Sequence, residues 1–242
     1  MKEMKNAIVT GGTSGIGRAV AEMLLTKGYH VMITYAYDSN ATKALEEMSK
    51  ISPEVEIHEI DQTRRESTYS FLEYVKANFK HIDCMICNAG ITRRSTFVES
   101  KDSDWDDMME VAVNSHYIII RELFNMIPAG SRIVFTGSLM GIQPHGTVLA
   151  YGVTKAAVHA LMKNLVKEFE GTGTTVNAVA PGFVDTPWQK NKPEEIRNNI
   201  CRKTAIHRFA SVEEIASAFR FCIENDFVNG SIIEVTGGYS YK

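Results

Sequence analysis

The feature that most constrains the fold of this chain is a regular alternation of short apolar runs with longer amphipathic segments. Each run holds four to six residues, the length of a strand that is buried on both faces of a parallel sheet. The runs lie at 7–10, 31–34, 55–60, 82–87, 132–136, 175–180 and 232–235. Helical patterns separate them, including those at 104–126, 151–169 and 212–225. Because parallel strands are joined by crossover helices, the pattern predicts an α/β fold, a doubly wound parallel seven-stranded sheet with helices on both faces.

Length and charge exclude several classes of protein that could have such a fold. The 242 residues suit one domain spanning 1–242, and the formal net charge of −3 lacks the basic excess of a nucleic-acid binder. No stretch reaches the roughly 20 apolar residues that span a bilayer. Residues 1–6 do not resemble a secretory signal. We therefore expect a cytoplasmic protein without nucleic-acid or membrane partners.

The cysteines and histidines do not predict a metal site. Cys84 and Cys87 form a C-x-x-C pair, but they lie in a predicted strand at an odd spacing, so their thiols point to opposite faces of the sheet. No second pair follows at a spacing typical of zinc sites, and the seven histidines do not cluster. We expect buried, structural cysteines and no bound metal.

A glycine-rich turn follows the first predicted strand. Residues 10–17 are TGGTSGIG. Glycines at this point allow a tight turn and let the backbone approach a pyrophosphate, while the free N–H groups of the next helix face the anion. The spacing is G-x-x-x-G-x-G and not G-x-G-x-x-G. Such turns also occur without a ligand, but together with the residues below this one predicts a dinucleotide site.

A tyrosine and a lysine in a helical pattern are candidates for acid/base chemistry. Tyr151 and Lys155 are four residues apart, so their side chains share a helix face. A nearby ammonium favours the phenolate and is expected to lower the pKa of the phenol by about 1–3 units from about 10. Ser138, at the end of the fifth predicted strand, could hydrogen-bond the same substrate oxygen. A Tyr and a Lys at this spacing are common on solvated helices, so the prediction depends on the combination with Ser138 and the glycine turn.

Further motifs extend this pattern along the chain. An N-A-G motif at 88–90 follows the fourth predicted strand, and P-G-F-V-D-T at 181–186 follows the sixth. With these motifs the sequence is similar to the short-chain dehydrogenase/reductase family over nearly its whole length. Cys87 departs from the family, which usually has Asn there. The resemblance implies a single Rossmann-like domain that binds NAD(P)(H). It also implies that the protein is an oxidoreductase, and members of the family are commonly homotetramers.

The resemblance also implies which residues act. Asn114 falls where the family keeps an Asn that holds a water of the proton relay, and Lys155 is expected to bind the nicotinamide ribose as well. The implied catalytic residues are Asn114, Ser138, Tyr151 and Lys155. The implied cofactor-binding residues are Gly11, Thr13, Ser14, Gly15, Ile16, Gly17, Tyr35, Asp61, Gln62, Asn88, Ala89, Gly90, Tyr151, Lys155, Pro181, Gly182, Val184 and Thr186.

The end of the second predicted strand bears on the choice of cofactor. An acid there would bind the 2′-hydroxyl of NAD(H) and repel the 2′-phosphate of NADP(H). That position is Tyr35, and the nearest acid is Asp38, three residues further on. Ser14 stands where many NADP-dependent members of the family have Arg or Lys. The missing acid favours NADP(H) over NAD(H).

The substrate is expected to be a 3-oxoacyl thioester. Segments 88–94, 104–105 and 207–215 resemble reductases that act on thioesters of acyl carrier protein or CoA in fatty acid biosynthesis, and the polar segment 188–208 is a predicted substrate lid. Segments 125–130 and 171–173 lack the basic residues that would dock an acidic carrier protein. Acyl carrier protein is therefore one possible partner, and a CoA thioester is the alternative.

Two other functions are also considered. A hydroxysteroid or polyol dehydrogenase is the second hypothesis, and a catalytically silent cofactor-binding scaffold is the third.

Overall fold

Seven strands, close to the predicted apolar runs, form one parallel sheet in the computed structural model, which describes residues 3–190 and 192–239. The strands are β1 (Asn6–Val9), β2 (His30–Tyr35), β3 (Val55–Glu59), β4 (Cys84–Cys87), β5 (Arg132–Thr136), β6 (Thr175–Pro181) and β7 (Ile232–Val235). The order across the sheet is β3-β2-β1-β4-β5-β6-β7. The direction of winding therefore reverses between β1 and β4. Ligands bind beyond the carboxyl ends of the strands at such a point.

Helices cover both faces of this sheet, as predicted. They are α1 (Gly15–Thr26), α2 (Ala41–Ser49), α3 (Arg65–Asn78), α4 (Asp102–Met109), α5 (Ser115–Glu122), α6 (Leu149–Glu168), α7 (Pro187–Lys190), α8 (Glu194–Lys203) and α9 (Val212–Glu224). One apolar core lies between the sheet and helices α1, α2 and α9. A second lies between the opposite face and helices α3, α5 and α6. The doubly wound, Rossmann-like α/β fold in a single domain is thus confirmed.

The two cysteines of the C-x-x-C pair lie on opposite faces of the sheet. Cys84 belongs to the core beneath α1 and α9, whereas Cys87 belongs to the core beneath α5 and α6. Both thiols are free and buried, and burial raises the pKa of Cys84 to about 12. Within residues 3–190 and 192–239, no group of three or more His, Cys, Asp or Glu side chains could hold a metal ion. The two thiols thus lie in opposite cores, as the strand spacing predicts.

The segment predicted as one helical stretch at 104–126 is interrupted. A π-helical turn, Glu110–Asn114, separates α4 from α5, and a short 3-10 turn follows α5. Directly after the π turn, the Ser115 hydroxyl donates to the Val111 carbonyl oxygen at 2.6 Å, and His116 Nδ1 bonds to the Ala112 oxygen at 2.9 Å. These side chains bind carbonyl groups of the widened turn, and apolar periodicity cannot reveal such bonds.

The predicted lid at 188–208 contains most of α7 and all of α8. Residue 191 is outside the described residues. Arg197 on α8 donates to the Gln189 carbonyl oxygen at 3.2 Å and to Asp185 at 3.1 Å. Its guanidinium also lies over the Phe209 ring, 4.4 Å from the centroid. These contacts tie the segment to the body of the domain. None of the described helices is long and apolar enough to cross a membrane.

Candidate active site

A long cleft runs along the carboxyl ends of the strands at the β1–β4 reversal. One cavity, of about 910 Å³, extends from the glycine turn toward the ends of β2 and β3. A second, of about 300 Å³, extends from the same turn toward α6 and the loop after β6. Both are lined by Gly11, Ser14, Gly15, Ala89 and Gly90, so they are two ends of one cleft. An elongated cleft with a glycine turn at its middle fits a dinucleotide.

The glycine turn after β1 is tight and is held by side-chain hydrogen bonds. Gly11 and Gly15 have φ of +64° and +54°, the left-handed region that favours glycine. Asn88 stabilises the turn, because its Nδ2 donates to the carbonyl oxygens of Thr10 and Gly11, each at 3.0 Å. The Thr10 hydroxyl oxygen accepts the N–H groups of Asn88 and Ala89 at 2.9 and 3.0 Å. The start of α1 therefore faces the cleft with its free N–H groups.

A substitution at Gly17 tests whether this close packing is needed. A Cβ at Gly17 would lie 2.1 Å from the Gly11 oxygen and 2.5 Å from Asn88 Nδ2, although Gly17 itself lines neither cavity. We expect Gly17→Ala to lower the free energy of unfolding by about 1–3 kcal/mol and to weaken cofactor binding, because the turn must move. The control is Gly146→Ala, where a Cβ meets nothing within 4 Å. Urea denaturation that left the two variants equally stable would contradict this packing.

The wider end of the cleft holds four of the predicted cofactor-binding residues. They are Thr13, Tyr35, Asp61 and Gln62, and all line the larger cavity. Gln62 is fixed by a bond from its Nε2 to the Ser115 hydroxyl at 2.6 Å. Asp61 accepts the Tyr37 hydroxyl at 2.8 Å. Asp38, which sequence analysis noted only as the nearest acid, also lines this cavity.

The narrower end brings three of the predicted catalytic residues together. Ser138 follows β5, and Tyr151 and Lys155 lie one turn apart on α6, so that all three line the smaller cavity. Lys155 is 3% exposed, and its Nζ donates to the Thr136 oxygen at 2.7 Å. The same Nζ lies 5.7 Å from the centroid of the Tyr151 ring. This cluster could donate a proton and hydrogen bonds to one substrate oxygen.

Burial dominates the protonation of this cluster. It raises the pKa of the Tyr151 phenol, against the opposing effects of the Ser138 hydroxyl and the Arg94 charge. It lowers the pKa of Lys155 to about 8. The predicted fall in the pKa of Tyr151 is therefore wrong in its net direction. The reason is that desolvation disfavours the phenolate more than nearby positive charge favours it, and the Lys155 ammonium bonds to the Thr136 oxygen.

Asn114 does not line either cavity. It ends the π-helical turn, and its Nδ2 donates to Glu110 Oε2 at 2.6 Å. The Glu110 carboxylate is in turn paired with Arg65, whose Nε lies 2.7 Å from Oε1. The side chain thus bonds to its own turn, and its role in holding a relay water stays a prediction.

The loop after β6 forms the wall opposite the glycine turn. Ile16 of α1 and the four predicted loop residues line the smaller cavity, the latter being Pro181, Gly182, Val184 and Thr186. The loop is fixed because Val184 forms a bridge with Ala210 and the Thr186 N–H donates to the Val184 oxygen at 2.9 Å. Trp188 of α7 closes this side, with its ring nearly perpendicular to that of Tyr151 at 6.5 Å between centroids.

Sequence reasoning missed three residues that support the cluster. Thr136 holds Lys155, Trp188 lies against Tyr151, and His159 Nε2 accepts the Ser138 N–H at 3.4 Å. His159 is buried, and burial lowers its pKa to about 4, so it is neutral and able to accept this bond. A signal for it was present, since it lies one further helical turn after Lys155 on the same face of α6.

Known proteins with a similar sequence or structure cover almost the whole of this chain. The short chain dehydrogenase family model matches residues 5–197. The chain is 33% identical over 239 residues to the 3-oxoacyl-[acyl-carrier-protein] reductase FabG of Haemophilus influenzae, covering 97% of each chain. It is 30% identical over 248 residues to a 2-dehydro-3-deoxy-D-gluconate 5-dehydrogenase of Pseudoalteromonas atlantica, covering 98% of this chain and 96% of that protein. A short chain dehydrogenase of Burkholderia cenocepacia, solved in complex with NADP, superposes with a TM-score of 0.91 at 26% identity, covering 97% of each chain.

Proposed function

The chain belongs to the short-chain dehydrogenase/reductase family, and from this premise we propose that it reduces a 3-oxoacyl thioester to the 3-hydroxyacyl thioester. The electron donor is NAD(P)H, and Tyr151 is the acid/base. The observation that carries this proposal is the convergence of Ser138, Tyr151 and Lys155 at the narrow end of a dinucleotide-shaped cleft. This convergence also argues against a silent scaffold, because cofactor binding alone does not require all three.

The proposed mechanism divides the work among these side chains. When bound, the nicotinamide supplies the hydride to the carbonyl carbon. Tyr151 gives its proton to the carbonyl oxygen, and the Ser138 hydroxyl donates a hydrogen bond to the same oxygen. The raised pKa of Tyr151 keeps the phenol protonated near neutral pH, which suits an acid in the direction of reduction. Lys155 binds the nicotinamide ribose and favours the phenolate that forms.

The remaining cleft residues are proposed to hold the cofactor. Gly11 and Ser14–Gly17 hold the pyrophosphate, Asp61 and Gln62 meet the adenine, and the 88–90 and 181–186 loops enclose the nicotinamide. The support is that nearly all of these residues line the two ends of the cleft, while Gly17 packs beneath the turn.

Positive charge beside Tyr151 supports a substrate with an anionic tail. The Arg94 charge lowers the pKa of Tyr151, against the larger effect of burial, and adds to the effect of burial in lowering the pKa of Lys192. A phosphate of CoA or of a carrier-bound pantetheine would be attracted to this charge. The relative from Haemophilus influenzae is a reductase of acyl-carrier-protein thioesters. Since segments 125–130 and 171–173 lack basic residues, we propose a CoA or carrier-protein thioester without choosing a carrier protein as partner.

A second candidate is a dehydrogenase of another secondary alcohol, such as a polyol or a hydroxysteroid. The relative from Pseudoalteromonas atlantica is, by its name, a 5-dehydrogenase of a keto sugar acid, and its identity to this chain is close to that of the 3-oxoacyl-[acyl-carrier-protein] reductase. The same three catalytic side chains would serve either substrate. A homotetramer and a cytoplasmic location stay predictions under both functions.

Two positions bear on the choice between NADP(H) and NAD(H). Tyr35 ends β2 without the acid that would repel a 2′-phosphate, which supports NADP(H), and the neighbour from Burkholderia cenocepacia is a complex with NADP. Asp38 supports NAD(H), because its carboxylate lines the adenosine end of the cleft. The proposed reductase therefore uses NAD(P)H, with the preference set at Asp38.

A substrate screen tests the proposed function. Oxidation of NADH and NADPH is followed by absorbance with acetoacetyl-CoA, ketosteroids and diketones. Reduction of NAD+ and NADP+ is followed with 2-dehydro-3-deoxy-D-gluconate, because a 5-dehydrogenase would oxidise its C5 hydroxyl. We expect the highest kcat/KM with acetoacetyl-CoA. A preference for the sugar acid or a ketosteroid would favour the second candidate, and no turnover of any ketone would contradict an active reductase.

A further inference from the structure

The carboxylate of Asp38 is fixed against the glycine turn. Its Oδ2 accepts the Thr13 hydroxyl at 2.5 Å, and its Oδ1 accepts the N–H of Asn40 at 2.8 Å. Thr13 belongs to the turn itself, and both Thr13 and Asp38 line the larger cavity. The acid is therefore held in place at the adenosine end of the cleft.

The loop after β2 explains how an acid three residues beyond the strand reaches this place. Tyr37 has a φ of +51°, in the left-handed region, and the chain bends there. Its hydroxyl donates to Asp61 Oδ2 at 2.8 Å, which fastens the bent loop to the segment after β3. The next residue, Asp38, reaches the glycine turn, as its bond from the Thr13 hydroxyl shows. Asp38 thus lies where an acid at the position of Tyr35 would be expected to act.

We propose that Asp38 selects the cofactor, accepting a hydrogen bond from the 2′-hydroxyl of the NAD(H) adenosine ribose and excluding the 2′-phosphate of NADP(H). This rests on the proposed function, since it concerns the same cofactor cleft. It reverses the preference that Tyr35 predicts. A hydroxyl can donate to a carboxylate, as the Thr13 hydroxyl does, whereas a phosphate offers a like charge.

The other charged side chains around this cavity also disfavour binding of the 2′-phosphate of NADP(H). The cations that line it each have an acidic partner among the described residues: Arg18 pairs with Glu22 and Glu47, Lys43 with Glu47, and Arg93 with Asp104. Three further acids, Asp38, Asp61 and Asp107, line the same cavity. A 2′-phosphate would therefore enter a region where the positive charges are already neutralised and a carboxylate is fixed.

Equilibrium binding tests the proposal without turnover. The dissociation constants of NADH and NADPH are measured by fluorescence titration for the wild type, Asp38→Asn and the charge-matched control Glu54→Gln. Asp38→Asn keeps the shape of the side chain and removes its charge, while Glu54 is half-buried and does not line the cleft. We expect the wild type to bind NADH at least about tenfold more tightly than NADPH. We expect Asp38→Asn to tighten NADPH binding about tenfold, and Glu54→Gln to leave the ratio unchanged.

Other binding results would contradict either the role of Asp38 or the proposed function. Tighter binding of NADPH by the wild type, or an unchanged ratio in Asp38→Asn, overturns the role of Asp38 and leaves the proposed reductase intact. Equal shifts in Asp38→Asn and Glu54→Gln would mean that only net charge matters, and would also overturn it. Binding of neither dinucleotide contradicts the proposed function as well.

Discussion

We expect the Tyr151→Phe variant to lose about 10²–10⁴-fold or more in ketone reduction while it keeps its affinity for the cofactor. The change removes the hydroxyl that is proposed to protonate the substrate oxygen and leaves the ring against Trp188. The phenol lies with Ser138 and Lys155 at the narrow end of the cleft, and of these three side chains only the phenol is proposed to give its proton to the substrate. Steady-state rates and a cofactor titration on the same preparation measure both quantities.

A matched control separates this effect from a general loss of tyrosine hydroxyls. Tyr117 lies on α5 and is 46% exposed, outside both cavities. We expect Tyr117→Phe to retain the wild-type rate. If Tyr151→Phe turned over ketones as fast as this control, Tyr151 would not be the acid.

The Lys155→Met variant should lose rate and cofactor affinity together. Lys155 is proposed to bind the nicotinamide ribose and to favour the phenolate of Tyr151, so one substitution removes two functions. Loss of a charged hydrogen bond costs about 1.5–3 kcal/mol, or roughly 10–100-fold in the dissociation constant of the cofactor. The rate should fall by at least as much. A variant that lost rate and bound the cofactor as tightly as the wild type would contradict the ribose contact.

The same variant should be less sensitive to pH in its stability. Burial lowers the pKa of Lys155 from 10.5 to about 8, so between these values the unfolded chain binds more protons than the folded one. The wild type therefore gains stability as the pH rises through this window. Relative to Lys155→Met, we expect a gain of about 2 kcal/mol between about pH 7.5 and 9.5. Urea denaturation at the two pH values checks this, and parallel curves for both proteins would contradict it.

Local sequence patterns predicted the sheet and most of the cleft. Strands buried on both faces have to be apolar throughout, so the runs that became β4 and β5 were evident without further information. The glycine turn and the Tyr151–Lys155 spacing carry their geometry in the residue types themselves, because a positive φ favours glycine and a four-residue spacing fixes a helix face.

Features that depend on contacts between distant residues could not be predicted this way. The left-handed Tyr37 and the bond from Thr13 to Asp38 join the loop after β2 to the glycine turn. The bond between Asn114 and Glu110 lies within a π-helical turn that periodicity does not reveal. The raised pKa of Tyr151 follows from burial, which a spacing of Tyr and Lys does not measure.

The most direct test of the central claim follows the hydride itself. The enzyme is incubated with acetoacetyl-CoA and NADH or NADPH that carries deuterium at C4 of the nicotinamide, on each face in turn. The product is then analysed by mass spectrometry. We predict 3-hydroxybutyryl-CoA with one deuterium on C3 from one of the two labelled faces, and a rate at least about 10²-fold lower for Tyr151→Phe. Unlabelled product from both faces, or labelled product formed equally fast by Tyr151→Phe, would contradict hydride transfer with Tyr151 as the proton donor.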